Sequence, residues 1–250
     1  MFVITADQVR SVRTGDRVPA ALDALAALGG SAGGVVRAFE RTVGDEIQAV
    51  VSSAETVVDV VTTLTREGGW RIGIGIGPVD RPLPRSTRAA TGPAFLLARE
   101  AITAARGASA QLAVCSAADG RTKAAATDMD GRSKAAATDI RGRSSTSDTA
   151  VGGHNYASGD ALDRPGELAE GVLWLLIATL RRRTNEGWIV VSAIESTGSG
   201  KAAAARLKIS PSAVSQRLNR AAWPEARRGA TAAAALLTVA DRESAEGGPR

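Results

Sequence analysis

The sequence predicts an α+β protein: a sheet-and-helix domain over residues 1–118, followed by a small all-α domain over residues 166–240. Three observations predict it. The first 118 residues alternate short apolar, β-rich runs with amphipathic stretches of helical period. Residues 119–165 carry almost no large apolar side chain and read as a disordered linker. From Glu167 onward the apolar positions recur at helical spacing.

Phe2–Ala6 is a short apolar run that predicts a buried strand ending in Asp7. Val18, Leu22, Leu25 and Leu28 mark a helix that stops at Gly29-Gly30, and residues 29–34 form a glycine-rich loop. Val35–Arg41 and Ile47–Val51 are strands joined by a hairpin-like turn at 42–46. Ala54–Arg66 is a second helix, with Val57, Val58, Val61 and Leu64 on one side. In Trp70–Gly77 isoleucine alternates with glycine, so one face of this strand is apolar and the other is bare backbone. Such a face admits the close approach of a helix, a ligand or a second subunit. Pro78 follows it, and no phosphate-binding helix opens there, so a dinucleotide-binding fingerprint is excluded. Gly92–Ala105 is a third helix and Gln111–Cys115 a last strand. The order is β-α-β-β-α-β-α-β.

Between 119 and 165 lie three tandem copies of an 11-residue unit, GRTKAAATDMD, GRSKAAATDIR and a degraded GRSSTSDTAV. They offer too little apolar burial to offset their ordering entropy. The only histidine, His154, follows them within residues 119–165 and has no metal-binding partner. After the linker, Leu168, Val172, Leu175, Leu176 and Leu180 form a helix stripe that ends at Arg181–Arg183. Thr184–Gly187 is a turn, and Trp188–Glu195 a short helix. Trp174, Trp188 and Trp223 read as core anchors of a small bundle. Ala230–Ala240 is a final helix, with a disordered tail over 241–250.

The most readable stretch is GSGKAAAARLKISPSAVSQRLNRAAW, Gly198 to Trp223. It parses as a helix over Lys201–Leu207, a turn at Lys208-Ile209, and a second helix from Pro211 to about Ala222. Ser210 is the N-cap, Pro211 occupies the first turn, and Pro224 stops the helix. Ala204, Leu207, Ile209, Val214 and Leu218 fall where two crossing helices bury them. Ser212, Ser215, Gln216 and Asn219 then face outward beside Arg217 and Arg220. Amides on such a face read adenine edges, and arginines hold phosphates or guanine, which suits a DNA major groove. The stretch resembles a helix-turn-helix of the sigma-region-4 or MarR-like kind, with Lys208 where glycine is usual. The DNA-binding set is therefore Ser210, Ser212, Ser215, Gln216, Arg217, Asn219 and Arg220, and the partner is double-stranded DNA. The rival reading is an alanine-rich helical hairpin that only packs.

Charge agrees with the first reading. Residues 1–118 hold 12 Lys/Arg and 11 Asp/Glu, and residues 166–235 hold 10 and 5, within a net charge of +5 for the chain. A basic excess confined to one segment is the electrostatic footprint of a nucleic-acid binder. A single cysteine, Cys115, excludes an intrachain disulfide and suits a reducing cytoplasm. The longest apolar run, Val172–Ala178, is too short to span a bilayer, and no signal peptide is apparent.

FVITADQVRS, FERTVGDEIQAVV, WRIGIGIGPV and GPAFLLAREAI together resemble the class III nucleotidyl cyclase layout over residues 1–118. The resemblance is closer still to the cyclase-like N-terminal part of SatD-type proteins, which also tend to carry a C-terminal DNA-binding helix pair. The resemblance implies a ferredoxin-like sheet that holds Mg²⁺ against nucleotide phosphates. Asp7 matches the first-strand metal aspartate and Asp45 the hairpin one, with Glu46 assisting. The cyclase pattern also places an asparagine and an arginine four residues apart on the following helix. Those positions here are Leu96 and Glu100, with Arg99 one residue away. Neither can stabilise charge on a transferring phosphate. The resemblance therefore implies a non-catalytic sensory or dimerisation domain, with a nucleotide or other small molecule as candidate ligand and a homodimer as the assembly. Two alternatives stand beside it. One is a Mg²⁺-dependent nucleotidyl cyclase or transferase-like enzyme using Asp7 and Asp45. The other is an interaction adaptor whose Gly73/Gly75/Gly77 face is a dimer contact.

Overall fold

Five strands form one mixed sheet in the order β2-β3-β1-β4-β5. They are β1 (Phe2–Gln8), β2 (Val35–Arg41), β3 (Glu46–Val51), β4 (Trp70–Ile76) and β5 (Leu112–Ser116). β1 lies at the centre, antiparallel to both β3 and β4, and β5 joins β4 in parallel. The computed structural model describes residues 1–9, 11–29, 33–119 and 164–246. The 11-residue repeats and His154, both within 120–163, and residues 247–250 lie outside the described residues. The helices of the first part are α1 (Ser11–Thr14), α2 (Val18–Gly29), α3 (Ala54–Glu67) and α4 (Pro93–Ala104). Those of the second are α5 (Pro165–Arg181), α6 (Asn185–Thr197), α7 (Gly200–Leu207), α8 (Pro211–Arg220) and α9 (Trp223–Glu246).

Strand alternation assigns the two faces of the sheet. Phe2, Ile4, Ile74 and Leu112 point to one side, where Val57, Val61 and Leu64 of α3 cover them. Val3 and Val50 point to the other, against Ala94 and Ala98 of α4. The glycines of β4 explain how α4 packs so close. A Cβ on Gly73 would stand 2.8 Å from the Ala98 carbonyl oxygen, and one on Gly75 would stand 2.9 Å from the Ala98 Cα. The bare face is thus closed by a helix of the same chain. That leaves no room there for a ligand or a second subunit, and it overturns the reading of this face as a dimer contact.

The second part of the chain does not pack as a body separate from the sheet. Leu173 and Ile177 of α5 and Leu237 and Ala240 of α9 join the same core as Phe2 and Ile74. Arg181 donates to the Ser109 and Ala110 carbonyls, and Trp174 Nε1 donates to the Leu112 carbonyl at 2.9 Å. The Met1 ammonium pairs with Asp241 on α9. Asp119 Oδ1 accepts from Gly166 N–H at 3.2 Å, which clasps the two ends of the 120–163 segment together. Only α6, α7 and α8 build a core of their own, around Val190, Ile194, Ala203, Ala204, Val214 and Leu218. The expected boundary between residues 118 and 166 therefore separates stretches of sequence but not of packing. Residues 241–246, expected in a disordered tail, are helical instead: α9 runs to Glu246, and Ser244 is buried with its Oγ 3.0 Å from that of Ser116. No helix among the described residues is long and apolar enough to cross a membrane.

Candidate functional site

The α7–turn–α8 unit is built by local capping. Ser199 caps α7 by accepting from Ala202 N–H, and Ser210 caps α8 by accepting from Ala213 N–H, each at 3.2 Å. Between them Lys208 adopts the left-handed conformation (φ 54°, ψ 41°) that glycine usually supplies. Its N–H bonds back to the Ala205 carbonyl, and Ile209 N–H bonds to that of Ala204. Ala203 and Ala204 are buried, small enough for α8 to pack beside them, while Leu207 and Ile209 are half-buried against the same cluster. Val214 and Leu218 point inward from α8, one turn apart.

That arrangement leaves the other faces of α8 free. Ser210, Ser212, Ser215, Gln216, Arg217, Asn219 and Arg220 are all exposed. The two serines at the helix start are engaged with each other, Oγ to Oγ at 2.9 Å. The side chains of Ser215, Gln216, Arg217, Asn219 and Arg220 make no hydrogen bond or ion pair with another described residue. A row of unengaged amides, hydroxyls and guanidiniums on a rigid helix offers donors and acceptors to an external polar surface. Glu186 stands near Arg217, and its carboxyl is held below the usual glutamate range. Its own backbone N–H is the first cause, then the Thr184 hydroxyl and the Arg217 charge.

The helices on either side are braced by arginine. Arg183 donates from Nε to the Ala221 carbonyl at 3.0 Å, and its guanidinium lies 4.4 Å from the Trp188 ring centroid. Arg66 of α3 meets the same ring at 5.3 Å, so Trp188 links the α6–α8 unit to the sheet core. Burial lowers the Arg183 pKa from its ordinary value. Two members of the Arg181–Arg183 run are therefore struts, and this differs from the solvated helix end that such a run suggests. The expected turn at Thr184–Gly187 is likewise shorter: Thr184 is the N-cap of α6, accepting from Gly187 N–H, and the helix begins at Asn185. Pro224 does not end α8. Ala221 and Ala222 make that turn, and Pro224 sits in the first turn of α9.

The second candidate site lies at the far end of β1. Asp7 faces Glu46 on β3 and Arg71 on β4 in the strand register. Its carboxyl lies beside that of Asp45 and accepts from Arg71 Nη1 at 2.7 Å. Burial, followed by the Asp45 charge and hydrogen bond, raises the Asp7 pKa above its ordinary 3.8, and Arg71 and Arg106 offset part of that rise. Glu46 is directed elsewhere and accepts from the Thr42 hydroxyl at 2.5 Å. Two of the three candidate metal residues thus come together. Among the described residues no group of three or more His, Cys, Asp or Glu side chains could hold a metal ion. The Arg71 guanidinium supplies beside Asp7 the positive charge that Mg²⁺ would bring, so the arrangement fits an internal ion pair better than a magnesium site. Leu96 and Glu100 are exposed on α4, and Leu96 is 62 % exposed.

Arg71 was not singled out from the sequence. Its signal was present in the strand pattern: once Gly73 is paired with Thr5 and Gly75 with Val3, Asp7 must face Arg71. The chain matches no protein-family model, no curated protein and no solved structure.

Proposed function

We propose that this chain is a DNA-binding transcriptional regulator, with α8 as the helix that enters the major groove and the sheet as a non-catalytic, cyclase-like sensory or dimerisation domain. The observation that carries the reading is the unengaged face of α8: Gln216 and Asn219 amides, Ser215 hydroxyl, and Arg217 and Arg220 guanidiniums on a helix fixed from behind by Val214 and Leu218. Amides of this kind pair in two places with adenine N6 and N7, and arginines pair with guanine O6 and N7 or with phosphates. Ser210 and Ser212, at the helix start, lie where the recognition helix of such a unit meets base edges.

The central antiparallel β1 and the added parallel β5 agree with the ferredoxin-like sheet that the cyclase and SatD resemblance implies. Two copies would double the contact on a palindromic site, so the reading includes a homodimer. The contact of Asp7 with Asp45 favours a second reading, a Mg²⁺-dependent nucleotidyl transfer enzyme, and Arg71 weighs against it. Mg²⁺-dependent consumption of ATP or GTP that disappears in Asp45→Ala would establish that reading in place of the first.

The test is binding of labelled genomic fragments, the gene's own upstream region included, at two salt concentrations. Wild-type protein is compared with Gln216→Ala/Arg217→Ala. Sequence-preferring binding that survives the higher salt and is lost in the variant supports the regulator. Binding by the variant equal to that of wild type sinks it.

A further inference from the structure

The recognition face is not the only basic surface beside α8. The chain turns through Ala221 and Ala222, with Ala222 in the left-handed region at φ 49°, and enters α9 at Trp223. The turn is short, so the last turn of α8 and the first turns of α9 meet at a corner. Arg217 and Arg220 stand on one side of the corner and Arg227 and Arg228 on the other, all four exposed. Among the described residues no carboxylate forms an ion pair with any of them. Arg227 is ordered by its ring contact, with the guanidinium 5.0 Å from the Trp223 centroid. A groove of about 550 Å³ runs along the same part of α9, and Trp223, Pro224, Arg227, Arg228 and Thr231 line it. The corner is held in place: Ala221 is buried, its carbonyl accepts from the strut Arg183, and Ala226 N–H bonds to the Ala222 carbonyl.

Four exposed arginines on adjoining helix turns leave the corner with a net positive charge, tempered by Glu186 near Arg217 and by Glu225 in the first turn of α9, and a polyanion complements that charge. None of the four is buried; Arg227 packs on the Trp223 ring, and Arg217, Arg220 and Arg228 form no hydrogen bond or ion pair with another described residue. We infer that the α8–α9 corner is a clamp for the DNA phosphate backbone, in which Arg227 and Arg228 extend the footprint of α8 past its C-terminal end. This rests on the DNA-binding reading of α8 and adds to it. Base reading belongs to Gln216 and Asn219, and register on the duplex belongs to the corner, because phosphate contacts position a protein without carrying sequence information. Each guanidinium that neutralises a phosphate releases condensed counterions, so the two roles separate in the salt dependence of binding.

The experiment measures the affinity of the full-length chain for a duplex selected by the wild-type protein and for a scrambled duplex, between 0.05 and 0.5 M salt (on the order of a decade, the range over which counterion release is read). Arg227→Ala and Arg228→Ala are each expected to flatten the plot of log K against log salt by about 0.9, and the double variant by about 1.8. Across that decade of salt the affinity of each single variant should therefore fall by roughly eight-fold less than that of the wild type, equally on both duplexes. Arg227→Lys/Arg228→Lys restores the slope. Gln216→Ala behaves oppositely, with an unchanged slope and a smaller ratio between the two duplexes. If the wild type prefers its duplex and Arg227→Ala/Arg228→Ala keeps the wild-type slope, the clamp is refuted while the role of α8 stands. If the wild type binds neither duplex, both readings fall.

Discussion

Gly75→Ala is the sharpest test of how the sheet is closed. The Cβ it adds would stand 2.9 Å from the Ala98 Cα and closer still to the Ala94 carbonyl oxygen and the Ala98 nitrogen, all of them backbone atoms of α4. Ordinary contacts of this kind lie beyond about 3.4 Å, so α4 must withdraw by roughly 1 Å, and no side chain can rotate to relieve the clash. Withdrawal opens a gap under Ala94, Leu97, Ala98 and Ala101, all of which are buried. A gap of about 0.5–1 Å forfeits a quarter to a half of the dispersion energy of the atoms that line it. The combined cost should fall near the top of the range for overpacked cores, about 3 kcal/mol, offset in small part by the lower unfolded-state entropy of alanine. For a chain of this size that is a fall in melting temperature of roughly 6–12 °C. Gly77→Ala is the control, because its Cβ would meet Leu97 Cδ1 at 3.5 Å, an ordinary contact with the end of a side chain. Urea and thermal unfolding of the two variants check the argument. If Gly75→Ala is as stable as Gly77→Ala, α4 does not close the glycine face and that face is open to another occupant.

Three further outcomes follow from the same structure. Lys208→Gly removes the left-handed strain at the C-cap of α7 and should raise stability by about 1 kcal/mol, read as a higher urea midpoint with an unchanged slope. Asp45→Asn removes one cause of the raised Asp7 pKa, so Asp7 should titrate closer to its ordinary value in a carboxyl NMR titration, though still raised by burial. Because a raised folded-state pKa confers stability that is present below pH 3.8 and lost as pH rises through the folded value, the variant should lose less stability than wild type between pH 4 and pH 7. Replacing residues 120–163 with about six glycines and serines should leave the fold intact, since Asp119 and Gly166 already hold the two ends together. On the composition-based expectation of an unpacked linker, the shorter closure should add roughly 1–2 kcal/mol.

The strand and helix order of the first 118 residues was legible because each element carries its own period. Isoleucine alternation in β4 and the valine stripe of α3 are local signals, and both elements form within a residue or two of the expected ends. The helix pair was legible for the same reason, since Ser210, Pro211 and the spacing of Val214 and Leu218 are all local. What escaped the sequence was long-range. α9 packs into the sheet core largely through alanines, Ala226, Ala233, Ala234 and Ala240, and alanine is too small to announce a buried face by hydrophobicity. α5 buries a helical stripe, Leu173, Leu176, Ile177 and Leu180, whose period predicts a helix but not its partner. The polar contacts of Asp119, Trp174 and Arg181 that tie it to the sheet across 44 residues of intervening chain have no periodic signature. The Asp7–Arg71 pair needs the register of two strands more than 60 residues apart.

The sequence signal for the candidate site was correspondingly uneven. The exposed residues of α8 follow from its buried ones, because on an amphipathic helix each face implies the other. Glu46 was grouped with Asp7 and Asp45 from its place in the hairpin alone, and its engagement by Thr42 depends on side-chain geometry that the sequence does not carry.

The central claim is that α8 reads duplex sequence. The measurement that addresses it most directly is selection of bound duplexes from a random pool by the full-length protein, with Gln216→Ala/Asn219→Ala run in parallel and the folding of both confirmed by thermal melting. A shared motif enriched by the wild type, with adenine positions that relax in the variant, is the predicted result. Equal enrichment by both proteins, or none by the wild type, would contradict the account.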